Sequence, residues 1–353
     1  MIRCLIIKTS SLGDIIHTLP AITDAVNALG DIEFDWVVEE TFAEIPAWHP
    51  AVKTVIPVAI RRWRRQPLKT LFSEEWKQFK QNIGASRYDC IIDAQGLLKS
   101  AWLTRYTHGP VYGLDKNSAR EPLASRFYDQ PFKVNKDLHA VERLRQLFAR
   151  VLGYTYTAEV DYGISGSDKE SAVTGKAIAS GVLFFHGTTW ATKHWPESYW
   201  QELAQQLVAH GYSVFLPWGS EPERLRVQTI KKAVEASEQV IILPKMSLTE
   251  IKCQLSAVRA VVSVDTGLAH LAAALDKPQI SLFGPTNPGL TRPYGNNQVI
   301  LQVDYPCKAC MQKKCNKPAV QDDKKLIYPA CFSSLKPQQV YQQLVTLTGG
   351  QLS

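Results

Sequence analysis

The chain has 353 residues, of which 45% are hydrophobic and 21% charged, and a formal net charge of +7. Those values are those of a soluble globular chain long enough for two domains with separate cores, and they exclude disordered, collagenous and disulfide-dense classes. No run approaches the roughly 18 apolar residues of a transmembrane helix, and no short internal repeat is evident.

The chain opens on "CLIIKTSSLGDIIHTLPAITD", an apolar strand pattern over 2–8 that runs into small and polar residues and then into a helical pattern over 14–29. Ile15, Ile16, Leu19, Ile22, Val26 and Leu29 fall on one face of that helix, as sheet packing requires, and Pro20 predicts a kink or an early break. A strand followed by such a turn and a helix is a βα unit, whose ligands sit at the carboxyl end of the strand. The turn has one glycine, Gly13, so G-x-G-x-x-G is absent, and Asp14 stands at its centre. Further strand patterns occupy 34–38, 53–58 and 88–93, and further helical patterns 71–83, 97–106 and 137–152. Between them lies "AIRRWRRQPLKT", with Arg61, Arg62, Arg64, Arg65 and Lys69 around Trp63. Such a cluster suits nucleic acid, anionic headgroups or an acidic substrate, or is an ordinary solvated loop.

Periodicity is lost over 155–180, which places a linker at 161–180 between domains 1–160 and 181–335, with a final helix and tail over 336–353. The second half alternates more regularly. Buried strands are expected at 181–187, 212–219, 239–243, 260–267 and 279–285, and helices at 197–210, 221–236, 247–257, 266–275 and 337–348. Alternation of this kind argues for parallel sheets covered on both faces, hence two Rossmann-like domains.

Three strand ends in the second half carry candidate chemistry. In "VVSVDTGLAH" a strand ends at Asp265-Thr266-Gly267 and a helix begins, making an anion site of its amides. Asp265 is either a cap or a ligand contact, and His270 follows three residues after Gly267 on the same side as the first turn. In "FFHGTTWATKHWPE" two hydroxyls, Thr188 and Thr189, and a point charge, Lys193, suit a diphosphate. In "FLPWGSEPER" the strand-end turn is followed by Glu221 and Glu223, and a carboxylate at this place suits a ribose diol, as it does a first helical turn. "GPTNPG" at 284–289 is a further strand-end loop.

Seven cysteines, an odd number, fit a reducing compartment. Cys307, Cys310, Cys315 and Cys331 form C-x₂-C-x₄-C-x₁₅-C, which reads as free thiols, a facultative disulfide or a structural zinc site. Cys4, Cys90 and Cys253 lie in apolar patterns and read as core. Met1-Ile2-Arg3 passes at once into a strand, so no signal peptide is expected and a cytoplasmic chain is.

Taken together, "KTSSLGDIIHTLPAITDA", "VIPVAIRRWR", "DAQGLLKSA", "AREPLASRFY", "HWPE", "LPKMSL" and "VVSVDTGLAHLAAALDKP" resemble the ADP-heptose:lipopolysaccharide heptosyltransferases of the heptosyltransferase I type. The resemblance covers nearly the whole chain; the segment 305–332 departs and looks more like the tail of heptosyltransferase II enzymes. It implies a GT-B fold, two Rossmann-like domains with parallel sheets facing a cleft. It also implies an inverting transfer of L-glycero-D-manno-heptose from ADP-heptose to a Kdo residue of Kdo-lipid A, without metal or cofactor. By that resemblance Asp14 is the general base and Lys193 supports the departing ADP. Thr188, Thr189, Glu223, Met246, Asp265, Thr266, Gly267 and His270 match donor contacts, and Arg61, Arg62, Arg64 and Arg120 match the basic set facing the acceptor. The enzyme would work at the cytoplasmic face of the inner membrane, peripherally attached to its anionic surface, with no nucleic-acid partner. The alternatives are heptosyltransferase II activity on a heptosylated acceptor and a non-enzymatic polyanion- or membrane-binding module. A nicotinamide-dependent oxidoreductase lacks its glycine fingerprint.

Overall fold

Leu5, Ile6 and Ile7 have no exposed surface, and neither do Val182, Phe184, Val261, Val262 or Val264. Uninterrupted apolar runs of this kind are what parallel strands need when helices cover both faces of their sheet. The computed structural model of the protein describes residues 1–164, 181–235, 237–322 and 325–349, and the chain divides into two units, Met1–Ser165 and Gly166–Ser353. The expected linker lies, from residue 165 onward, outside the described residues.

In the first unit the strands are β1 (Ile2–Ile7), β2 (Ile32–Glu39), β3 (Val52–Val58), β4 (Cys90–Asp93), β5 (Val111–Leu114) and β6 (Gln130–Phe132). They form one parallel sheet in the order β3-β2-β1-β4-β5-β6. In the second unit they are β7 (Val182–Phe185), β8 (Val214–Leu216), β9 (Val240–Ile242), β10 (Ala260–Val264), β11 (Gln279–Phe283) and β12 (Gln298–Gln302). Their order, β12-β11-β10-β7-β8-β9, is the first sheet's order read from the other edge, again all parallel. Both are the doubly wound arrangement, in which the chain reverses direction across the sheet between the first and fourth strands. At that switch point the loops diverge and leave a crevice at the strands' carboxyl ends.

Several elements differ from the sequence expectation. The helix expected over 14–29 breaks at His17-Thr18 into Leu12–Ile16 and Leu19–Leu29, with Pro20 in the first turn of the second piece, where its missing N–H costs nothing. The pattern at 71–83 divides into Pro67–Leu71 and Glu74–Gly84, the latter capped by Ser73 accepting from the Trp76 amide. β5, β6 and β12 were not expected, nor was the antiparallel pair Val320–Asp322 and Lys325–Ile327. The final helix, Pro337–Leu347, belongs to the second unit, where Val340 and Leu344 join the core that holds Leu203 and Leu207 of the helix Glu197–Ala209.

The first unit is fastened by a buried cation. Arg145, with no exposed surface, meets Asp24 in two hydrogen bonds of 2.6 and 3.0 Å and Glu142 at 3.1 Å, and donates to the Thr157 and Glu159 carbonyls. It thereby ties the helix Leu19–Leu29 to the helix Ala140–Leu152. A guanidinium removed from water is tolerated only while its donors are paired, so Asp24→Ala is expected to destabilise the unit by roughly 3 kcal/mol. Urea unfolding followed by circular dichroism would show it as a fall in midpoint at constant m-value.

Candidate functional site

Each unit carries a polar constellation at its switch point, and each is built from two strand ends far apart in sequence. In the first unit the ends are those of β1 and β4. Gln95 Oε1 accepts from the Thr9 and Ser10 amides at 3.0 Å each, joining the turn after β1 to the turn after β4. Asp93, fully buried, accepts from the Gln95 and Gly96 amides, the Ser100 hydroxyl and the Tyr128 hydroxyl at 2.8 to 3.2 Å. Burial raises its pKa and those hydrogen bonds oppose the rise.

Asp14 lies in the third position of the helix Leu12–Ile16, and its Oδ2 accepts from the Ser11 amide at 2.7 Å and the Ser11 hydroxyl at 2.9 Å. Those contacts hold the carboxylate in one orientation and leave Oδ1 for other partners. Beneath it Lys8, buried, donates to the Ala94 carbonyl at 2.9 Å. Burial lowers the Lys8 pKa, the negative charges of Asp14 and Asp93 push it back up, and Arg143 and Arg120 add to the lowering. Lys99 donates to the Ser10 hydroxyl at 3.2 Å, and its pKa is likewise lowered, first by burial, with Glu39 opposing and Arg61 and Arg64 adding to the effect. Lys8, Asp93, Gln95 and Lys99 were not singled out from the sequence. "YDCIID" ending beside "LIIK" would have pointed to them once the two strands were known to be neighbours.

The basic residues are treated unequally. The Arg61 amide is held by Glu39 at 3.0 Å, a buried carboxylate at the end of β2 whose pKa burial raises, and the Arg61 guanidinium lies 5.2 Å from the Phe42 ring centre. Arg62 is gripped by Glu40 at 3.0 Å and by Glu75, so its charge is already answered within the protein. Arg64 is exposed. Arg120, also exposed, sits beside the turn at Gly96, whose carbonyl accepts from the Glu121 amide at 3.1 Å.

In the second unit the ends are those of β7 and β10. The Thr188 hydroxyl donates to the Asp265 carbonyl at 3.0 Å, joining the two turns. The Asp265 carboxylate does not cap the helix Gly267–Ala274; Thr266 is its N-cap residue, without a side-chain cap bond. Asp265 pairs instead with Lys193 at 2.7 Å and accepts from the Thr286 hydroxyl at 2.6 Å. The Lys193 ammonium also lies 4.7 Å from the Trp190 ring centre, and the Lys313 ammonium 5.3 Å from the same ring. A lysine so held is a fixed point charge beside a helix start whose amides favour an anion. Thr286 comes from the loop at 284–289, whose flag in the sequence was its position at a strand end.

Glu223 lies in the first turn of the helix Glu221–Lys232, and its Oε2 accepts from the Gly219 and Ser220 amides at 2.8 and 3.0 Å. Its Oε1 rests over Gly187, where a Cβ would come within 2.2 Å. Glycine at 187 is therefore what lets this carboxylate lie across the end of β7. His186, buried beside it, meets the Pro217 carbonyl through Nε2 at 3.0 Å, and burial pulls its pKa down to about 4. The ring is thus neutral at pH 7 and carries its proton on Nε2. Thr189 is exposed; Met246 is half-buried in the loop after β9; His270 is buried in the helix that Thr266 begins.

Cys4, Cys90 and Cys253 are buried, as expected of core residues, and Cys4 faces Cys90 across the β1–β4 ladder. Cys307, Cys310, Cys315 and Cys331 do come together, lining one cavity of about 50 Å³ in the second unit. Burial, and then the three neighbouring thiols, push the Cys331 pKa up to about 12. Among the described residues no group of three or more His, Cys, Asp or Glu side chains is placed to hold a metal ion. The Cys315 thiol is directed at the Lys317 carbonyl, 3.9 Å away.

Two doubly wound α/β units, with charged residues at both switch points, are the architecture of a GT-B glycosyltransferase. A family model described as glycosyltransferase family 9 (heptosyltransferase) matches residues 76–321. Lipopolysaccharide heptosyltransferase 1 of Pseudomonas aeruginosa is 55% identical over 349 residues, 97% of each chain. The Escherichia coli heptosyltransferase WaaC superposes with TM-scores of 0.84 in its ADP complex and 0.81 with ADP-2-deoxy-2-fluoro heptose, at 43% identity and 98% coverage of this chain. Those two structures are covered to 100% and 99%. Lipopolysaccharide heptosyltransferase 2 of Salmonella typhimurium matches over 114 residues only, 31% of this chain and 32% of its own, at 32% identity. The chain belongs to glycosyltransferase family 9, the heptosyltransferases.

Proposed function

We propose that the protein transfers L-glycero-D-manno-heptose from ADP-heptose to a Kdo residue of Kdo-lipid A, with inversion and without a metal ion or organic cofactor. Asp14 takes the proton from the acceptor hydroxyl as its oxygen bonds to C1 of the heptose, and the bond from C1 to the diphosphate oxygen breaks in the same step. The electron pair leaves with ADP, whose developing charge is met by Lys193 and the amides beginning at Gly267. Thr188, Thr189, Thr266 and His270 would hold the diphosphate and heptose, Glu223 the ribose diol, and Met246 the adenine side. Arg61, Arg64 and Arg120, with Lys99, would face the acceptor's carboxylate and phosphates, and Arg62 would join them only by leaving Glu40 and Glu75. The observation that carries the reading is the pairing of Lys193 with Asp265 beside a helix start that no side chain caps.

Among the described residues no helix is long and apolar enough to cross a membrane. The acceptor being a lipid, attachment to the anionic cytoplasmic face of the inner membrane would run through the basic loop at 61–69. Mass spectrometry of Kdo-lipid A, phospho-Kdo-lipid A, Kdo₂-lipid A and heptosyl-Kdo₂-lipid A, each incubated with ADP-heptose and EDTA, tests the reading. One heptose added to a heptose-free acceptor is expected. Addition only to the heptosylated acceptor would transfer the protein to the heptosyltransferase II role, and no addition to any would overturn the proposal.

A further inference from the structure

The basic loop lines an apolar cavity of about 520 Å³, of whose lining residues only Arg64 and Lys99 have a role above. Its walls are Trp63, Trp76, Trp102, Leu71 and Leu98. Trp76 and Trp102 stack with ring centres 5.5 Å apart, and Trp63 meets Trp76 edge-on at 5.3 Å. This is the size and lining of a site for a hydrocarbon or aromatic ligand rather than a packing defect. Water-exposed apolar surface continues around it: Leu68, Leu71 and Phe72 are 74%, 51% and 82% exposed. Surface of that kind marks an interaction site.

Two cations stand in the same wall, Arg64 and Lys99. Lys99 is also the residue that reaches the Ser10 hydroxyl, in the turn that holds Asp14. Lys99 therefore links the wall of the cavity to the turn that holds the proposed base. A ligand spanning both must carry a sugar at one end, negative charge in the middle and hydrocarbon at the other. We propose that this cavity receives an acyl chain of the phosphorylated glycolipid acceptor, with Arg64 and Lys99 on the phosphate between chain and sugar. This inference rests on the acceptor being a lipid, as proposed above.

The test compares acylated acceptor with the same acceptor fully deacylated. The wild-type KM for the acylated form is expected to be lower by about tenfold, the effect of burying roughly two methylene groups of a chain. Leu71→Gln and Leu98→Gln, at partly exposed positions, are expected to remove most of that difference while leaving kcat and KM for the deacylated acceptor as in the wild type. Acceptor carrying brominated acyl chains should also quench tryptophan fluorescence in the wild type, and quench it less in both variants. Equal KM values for the two acceptors without quenching would overturn the inference and leave heptosyl transfer standing. Absence of transfer to either form would strike the proposed reaction instead, and quenching would still report whether the chain enters. Quenching as strong from brominated phosphatidylglycerol vesicles without acceptor would make membrane lipid the occupant and overturn the assignment to the acceptor.

Discussion

Asp14→Asn is expected to lower kcat by about two to four orders of magnitude, the usual contribution of a positioned general base, while ADP-heptose affinity stays within a few-fold of the wild type. Asparagine is the informative replacement because of what Asp14 already does. Its Oδ2 accepts from the Ser11 amide and hydroxyl, and an amide oxygen can keep both bonds. Alanine cannot, and it would also open the cap of the helix Leu12–Ile16 at a cost of about 1 kcal/mol. Alanine alone would therefore confound lost basicity with a loosened turn. Asparagine changes the proton affinity and leaves the shape. Stopped-time assays of heptose transfer, paired with calorimetric titration of ADP-heptose, separate the two quantities. Wild-type turnover in Asp14→Asn would remove the base assignment, and intact turnover lost only in Asp14→Ala would make the residue a cap.

Strands whose apolar runs are buried on both faces, such as Leu5–Ile7 and Val261–Val264, were legible in the sequence, and so were β3 and β9, edge strands that are only part-buried. β5 and β6 escaped because they are short and interrupted by Gly113 and Pro131, β6 being only Gln130-Pro131-Phe132, and β12 because it is flanked by glutamines and half-exposed along its length. The site followed the same division. Asp14 and the Asp265-Thr266-Gly267 turn announce themselves locally, because a strand, a small-residue turn and a helix start are adjacent in the chain. What those residues touch is not local. Gln95 reaches Thr9 across 86 positions, and Thr188 reaches Asp265 across 77. Such partners become visible only once the order of the strands is known. Arg62 shows the converse case. Its charge in a run of arginines suggests a ligand contact, yet Glu40 and Glu75, distant in sequence, already occupy it.

Lys193→Ala is expected to reduce kcat by about 10²-fold or more, with a smaller rise in the KM for ADP-heptose, as befits a charge that matters most when the diphosphate departs. The argument turns on Asp265. In the free protein the two side chains form an ion pair at 2.7 Å with 16% and 10% of their side-chain surface exposed. A lysine so paired is held in position at the cost of part of its charge, and an arriving diphosphate competes with Asp265 for it. Asp265→Asn therefore removes a competitor and a support together. ADP affinity should hold or rise slightly, while kcat falls because the ammonium is no longer fixed beside the Gly267 helix start. The two substitutions act on one device, so Lys193→Ala combined with Asp265→Asn should cost much less than the sum of the single effects in a double-mutant cycle. Full additivity would mean that Asp265 serves something other than Lys193. A Lys193→Ala variant that raised KM and spared kcat would confine the lysine to holding ADP-heptose in the ground state.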